Sequence, residues 1–229
     1  MSQFDPRLSK VVTAHSSIVG ALNVIHSLRT RGLRRTLLFA ALGNGIPILG
    51  ELLAIHVLKV IRHHIQPQIS GVPLAIALGW YNVGYGALAT VNGAFNDGDK
   101  PRVRKGLIPI VALAATNLDL LLDPFGLDLG LWEWSEGGSY ASEVRGLNGK
   151  RGIPLLNFAG WIALTTGVML AYQQLRLRDA TADERTRTAY LISLRVIGQA
   201  LQGAVRCVRR TRVVIRCRFD GAAQTFPSG

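Results

Sequence analysis

Long uncharged runs alternate with short clusters of basic residues along this chain. Between Thr36 and Leu58 the one formal charge is Glu51, and Ile69 to Phe95 carries none. Gly106 to Leu122 is apolar apart from Asp119, and Gly152 to Leu175 is again uncharged. A helix that crosses the hydrocarbon core needs roughly 20 consecutive apolar residues, so each of the four runs predicts a transmembrane span. Two further runs are less apolar. Val11 to Leu28 is uncharged but rich in Ser, His and Asn, and Thr188 to Val205 is broken by Arg195, so each either crosses or lies along the interface. The predicted class is all-α: a polytopic integral membrane helix bundle with about five to six transmembrane helices. Residues 1–205 are expected to form a single transmembrane domain, and 206–229 a basic C-terminal tail, disordered or atypical.

Composition supports that class. The 229 residues are 48% hydrophobic and only 17% charged, whereas a soluble domain carries about a quarter charged residues. The 26 Lys and Arg outnumber the 14 Asp and Glu, a net charge of +12 that in a soluble domain would suggest nucleic-acid binding. Placement argues otherwise. Arg29, Arg31, Arg34 and Arg35 precede the second run, Lys100, Arg102, Arg104 and Lys105 follow the third, and Arg176, Arg178, Arg185 and Arg187 follow the fifth. Alternating spans put all three loops on one side, the cytoplasmic side by the positive-inside tendency. The loop from Asp128 to Arg151, with Asp128, Glu133, Glu136 and Glu143 against Arg145, Lys150 and Arg151, then lies outside. The tail, with Arg206, Arg209, Arg210, Arg212, Arg216 and Arg218, would also be external if Thr188 to Val205 crosses, against the tendency. The expected location is the cytoplasmic (inner) membrane, among lipid and with no nucleic-acid partner. The first apolar run lacks a basic start and a small-residue cleavage site, so no signal peptide is expected. Cys207 and Cys217 form neither a metal spacing nor a disulfide framework, and Gly43-Asn44-Gly45 fails the dinucleotide pattern.

Acids within a span cost roughly 2.5 to 3.5 kcal/mol on insertion scales, so they need a reason to stay. Glu51 lies in the second run, and Asp119 and Asp123, four residues apart, share one helical face. A carboxyl removed from water beside another carboxyl can remain neutral and so donate a proton. In a purely structural role, Glu51 would hydrogen-bond a neighbouring backbone and Asp123 would cap the chain before Pro124. Aromatic residues form a second constellation: Trp80, Tyr81 and Tyr85, then Trp132, Trp134 and Tyr140, then Phe158 and Trp161. Taken singly, such residues anchor helices at the interface, but aromatic faces also stabilise cations. His56 and His63, seven apart, could share a helix face; without a third ligand at a telling spacing no metal site is expected. Asn157 is an interhelical hydrogen-bonder or a substrate contact.

The ordered set Asp119-Leu120-Leu121-Leu122-Asp123-Pro124, Trp132-Glu133-Trp134, Gly138-Ser139-Tyr140 and Gly152-Ile153-Pro154-Leu155-Leu156-Asn157-Phe158-Ala159-Gly160-Trp161 resembles the carotenoid biosynthesis membrane proteins of the CruF type, the cofactor-independent carotenoid hydratases. Glu51 and Gly71-Val72-Pro73-Leu74 through Trp80 fit the same pattern. Two features depart from it: Ala141 to Arg151 separate the Gly-x-Tyr element from the Gly-Ile-Pro element, and Val60 to His64 replace a Gly- and Tyr-rich stretch. The resemblance implies addition of water to the terminal double bond of an acyclic carotenoid end group, without cofactor or metal, on a lipid-soluble carotenoid taken from the bilayer. Protonating such an alkene gives a tertiary cation, so the site needs an acid, an electron-rich wall and an admitted water. Asp119 or Asp123 is the expected donor, with the other or Glu51 taking the proton from water. Trp80, Tyr81, Tyr85, Trp132, Trp134, Tyr140, Phe158 and Trp161 are expected to contact substrate, and Asn157 to hold the water.

Two other functions fit the same residues. In a membrane prenyltransferase, Asp119 and Asp123 would hold magnesium and a diphosphate. Its usual second acidic motif is not reproduced by Asp179, Asp183 and Glu184, which sit among arginines. In a non-enzymatic carotenoid-binding membrane protein, the rings would pack a polyene and the acids would serve helix association.

Overall fold

The computed structural model describes residues 4–95 and 105–174. Among them are five helices long and apolar enough to cross a membrane: α1 (Pro6–Arg31), α2 (Leu33–Leu52), α3 (Leu74–Phe95), α4 (Ile108–Asp128) and α5 (Leu155–Gln174). The protein is a helical membrane bundle. Large apolar side chains such as Val11, Ile18, Leu37, Leu49, Leu121 and Leu156 point outward, the arrangement expected where the surrounding solvent is lipid. Helix α1 begins at an Asp5 cap whose side chain accepts from the Arg7 N–H at 2.9 Å, with Pro6 in the first turn. It ends at Gly32, whose φ of +79° turns the chain directly into α2. Helix α4 packs against α3 and α5, α1 against α2 and α3, and α2 against α3 and α5.

Val11 to Leu28 lies within α1, which is long and apolar enough to cross, and Thr36 to Leu58 matches α2 and its extension. That extension is a π-helical turn, Leu53–Val57, directly after Glu51. Such turns interrupt the regular ladder and are frequent at functional sites. Thr188 to Val205, the tail and the acids Asp179, Asp183 and Glu184 lie outside the described residues.

Three runs begin or end differently from expectation. The stretch from Ile69 to Pro73 is not helical: β2 (Gln68–Ile69) pairs antiparallel with β3 (Val72–Pro73) around Ser70 and Gly71, both at positive φ, before α3 starts at Leu74. Gly152 to Ile153 likewise belongs to a strand. Helix α4 passes Leu122 and runs through Pro124 to Asp128. A proline inside a helix leaves the carbonyl four residues back without its usual donor, here that of Leu120. The Tyr140 hydroxyl donates to that carbonyl at 3.0 Å. A side chain from the following loop thus replaces the missing bond, so Asp123 sits within the helix and does not cap it.

Short β pairs gather where α2 and α4 end and α3 and α5 begin, a feature the all-α expectation did not contain. β1 (Ile61–His63) pairs antiparallel with β4 (Trp132–Trp134), setting Ile61 opposite Trp134 and His63 opposite Trp132. β5 (Tyr140–Arg145) pairs with β6 (Arg151–Ile153), so the segment separating the two sequence elements is a hairpin. The arginine-rich junction of α1 and α2 lies at the opposite end of the bundle, as alternating spans require.

Candidate active site

At the end of the bundle crowned by these strands, four helices each contribute one or two polar side chains. Asp119 and Asp123, one turn apart on α4, are 6% and 2% exposed. Asn157, third residue of α5, donates from one amide nitrogen to Asp119 Oδ2 at 2.8 Å and to Asp123 Oδ2 at 2.7 Å. Trp132 Nε1 donates to the remaining oxygen of Asp123 at 2.6 Å. That contact requires Gly126, on the same face of α4 as Asp123, because a Cβ there would lie 2.0 Å from the Trp132 ring. Trp134 is also buried, and its indole N–H is directed at Asp123 as well.

Glu51, penultimate residue of α2, forms the other half of the cluster. Its Oε1 accepts from Trp80 Nε1 at 2.9 Å, and its Oε2 lies 3.1 Å from His63 Nε2. The Trp80 ring stacks on Trp161 of α5, with centroids 3.7 Å apart and planes 22° from parallel. The Trp80 indole thus does two things: its face stacks on another ring, and its N–H meets part of a carboxylate's demand for donors.

A cavity of about 370 Å³ opens between α2 and α5 and ends on this cluster. Leu53, Ala54, Leu58, Leu156, Ala163 and Leu164 give it apolar walls, and Glu51, Trp80, Trp134, Asn157 and Trp161 are its inner lining. Leu53 and Leu156 are also exposed on the bundle surface, so the cavity borders the lipid-facing side. The aspartates are one layer back, reached through Asn157. Because the Asn157 nitrogen is committed to both acids, its carbonyl oxygen is the atom left to accept from a guest.

The expected site residues divide into three groups. Glu51, Trp80, Trp134, Asn157 and Trp161 line the cavity, while Asp119, Asp123 and Trp132 lie directly behind it. Tyr140 and Phe158 meet edge to face at 5.0 Å in the supporting core, with Leu127, Trp134 and Ile153. Tyr81 and Tyr85 are not brought to the site. On α3 the side chain after Trp80 points roughly 100° around the axis, and these two rings join Phe39 and Tyr172 in a separate cluster. Sequence alone does not single out His63 as a partner of Glu51, and the helix face it was expected to share with His56 does not exist. The helix ends before it, His56 Nε2 lies 2.9 Å from the Ser70 carbonyl, and His63 is on β1. The signal in sequence was a histidine a dozen residues after an in-span acid, but only the β1–β4 pairing folds it back.

Magnesium binding by the aspartates has little geometric support. One amide N–H₂ group sits on the side the two carboxyls share, where a bridging cation would need open oxygens. Among the described residues, no three His, Cys, Asp or Glu side chains form a metal-ligand group.

A family model described as "Carotenoid biosynthesis protein" matches residues 12–215. No curated protein and no solved structure matches the chain.

Proposed function

The chain belongs to the carotenoid biosynthesis protein family, a membrane protein with a role in that biosynthesis, and from that premise we propose that it hydrates the terminal double bond of an acyclic carotenoid end group. One observation carries the reading: an apolar cavity bordering the lipid side ends on a carboxyl, Glu51, with two more carboxyls a single amide away. A hydrocarbon end group needs the first feature, and an acid-catalysed addition needs the second.

Which side chains line the cavity supports roles somewhat different from those expected. Glu51 lines it and is the acid that touches substrate; its proton goes to the terminal alkene carbon, leaving a tertiary cation. Trp80, Trp161 and Trp134 face the cation, and the Asp119–Asp123 pair, with one carboxyl ionised and the other neutral, supplies negative charge behind Asn157 in a site from which water is largely excluded. The Asn157 carbonyl oxygen holds the attacking water. Its oxygen bonds the cation, and its surplus proton returns to the Glu51 carboxylate. Alkene plus water gives a tertiary alcohol, and the acid is regenerated with no cofactor consumed. The substrate is a lipid-soluble carotenoid delivered by the bilayer, and the cytoplasmic membrane with the stranded end outward is the setting consistent with the loop charges.

The test is expression in a bacterial host that makes lycopene or another carotene with open end groups, followed by chromatography and mass analysis of the pigments. Hydration yields pigment heavier by one water. Unchanged pigment from inserted protein overturns the reading, and a product lengthened by an isoprenoid unit would favour prenyl transfer.

A further inference from the structure

The cavity that ends on Glu51 is built differently at its two ends. Toward the middle of the bundle Leu53, Ala163 and Leu164 make it apolar, and Leu164 lies about 10 Å along α5 from Asn157 at helical rise. Toward the strands its border is Val60, Glu136, Gly137 and Pro154, drawn from the segment before β1, the turn after β4 and the residue before α5. The Glu136 side chain is 89% exposed and its Oε2 lies 3.8 Å from Nζ of Lys150, which is also exposed. A surface carrying such charges belongs in water rather than in hydrocarbon. Backbone bonds fix this rim: the Ser135 N–H donates to the Val60 carbonyl at 2.9 Å, and the Gly138 N–H to the Arg151 carbonyl at 2.8 Å. The Asn157 N–H donates to the Pro154 carbonyl at 3.0 Å, so the side chain that holds the attacking water is one helical turn below the rim.

We propose that the rim of Val60, Glu136, Gly137 and Pro154 is the water inlet of the site: water enters from the aqueous phase on the stranded side, while the carotenoid enters between α2 and α5 from the bilayer. The inference rests on the hydration reading and adds to it the path of the second reactant. Each turnover returns the proton to Glu51 but consumes one water, so water is what must be resupplied in every cycle. A hydrocarbon end group lying against Leu53 and Leu164 shuts the bilayer end to it. The stranded end stays open. Water settles where it finds polar partners, and on this path they are Glu136 at the rim, then Asn157 and Glu51 a turn below, whereas the walls deeper in the bundle offer none. With separate entrances, neither reactant has to leave for the other to arrive.

The test uses the full chain in right-side-out membrane vesicles loaded with an acyclic carotene. Glu136→Cys puts a thiol on the rim, and Glu143→Cys puts one on exposed β5, away from the cavity border. A bulky, charged, membrane-impermeant thiol reagent is added from outside, and each variant is compared with itself before labelling, with wild type treated in parallel. Labelled Glu136→Cys should keep its bound pigment, read from the absorbance of the purified protein, yet lose most of its hydration, and reducing the mixed disulfide should return it. Labelled Glu143→Cys and treated wild type should hydrate as before. Val60→Trp narrows the rim from another segment and should likewise bind pigment but hydrate slowly. Undiminished hydration by labelled Glu136→Cys or by Val60→Trp overturns the inlet. So does loss of bound pigment on labelling, which would make the rim the entrance of the carotenoid. If untreated wild type hydrates nothing, the hydration reading falls and the inlet with it, an outcome distinct from a loss that follows labelling.

Discussion

Two buried clusters of rings and polar side chains occupy this bundle, and they spend the same residue types in different ways. About 7.5 Å further along α3 than Trp80, Tyr85 is fully buried and its hydroxyl lies 2.7 Å from His26 Nδ1. Around it the Phe39 ring meets Tyr81, Tyr85 and Tyr172 edge to face, with centroids 5.9, 5.6 and 5.2 Å apart. There rings fill space and polar atoms tie one helix to the next. In the cluster around Asp119, Asp123 and Glu51, the indole and amide N–H groups go to carboxylates, and ring faces wall a cavity. Aromatic content alone does not make a site. A site forms where donors are collected around acids and space is left beside them.

The strongest way to break this contrast is to neutralise the acids. Asp119→Asn and Asp123→Asn, made singly in protein that still inserts, should each reduce hydration by about 10²- to 10⁴-fold, the range for acid–base and charge-stabilising groups. Pigment analysis from expressing cells measures it, and full activity in both variants would remove the aspartates from the mechanism. The ring cluster should respond in the opposite manner. Phe39→Ala deletes a fully buried ring that three others contact and should cost about 3 to 5 kcal/mol of stability. Thermal unfolding in detergent would show that loss, while hydration per folded molecule stays near wild type. A Phe39→Ala protein that is stable but inactive would erase the distinction between the two regions.

Sequence carried much of this architecture because lipid imposes strong patterning: four largely apolar runs became four helices, with boundaries shifted by a few residues. It also carried the Asp119–Asp123 pair, since spacing on one helix fixes which side chains share a face. Contacts made by loops were not legible. That Trp132 would reach Asp123 depends on Gly126 leaving room on α4. That His63 would meet Glu51 depends on pairing between strands about 70 residues apart. Tyr85 belonged to the expected site by proximity in sequence, yet one helical offset from Trp80 sends it elsewhere. Gly126→Ala tests the first of these dependencies. The new methyl would collide with the Trp132 ring, pull its N–H from Asp123 and reduce hydration about tenfold or more, consistent with loss of about 1.5 to 3 kcal/mol for a hydrogen bond to a charged group. Unchanged kinetics would mean that the Trp132 contact is incidental.

The two tyrosines give the finest comparison, because removing a hydroxyl leaves each ring in place. In Tyr140→Phe the Leu120 carbonyl, already deprived of its helical donor by Pro124, loses the replacement as well. An unsatisfied buried acceptor costs about 1 to 3 kcal/mol, and α4 should lose stability in the turn that carries Asp119 and Asp123, lowering both unfolding temperature and hydration. In Tyr85→Phe the lost partner is His26 on a neighbouring helix, a side-chain bond of the kind worth about 0.6 kcal/mol within membrane bundles, where alternatives are found on loosening. The Arg31 guanidinium, 5.7 Å from the centre of the Tyr85 ring, keeps its aromatic contact. Stability should therefore fall only slightly and hydration not at all. Measuring both variants side by side by thermal unfolding and pigment yield decides the matter: a larger effect from Tyr85→Phe would place the functional polar network in the ring cluster, and a larger effect from Tyr140→Phe would keep it at the acids.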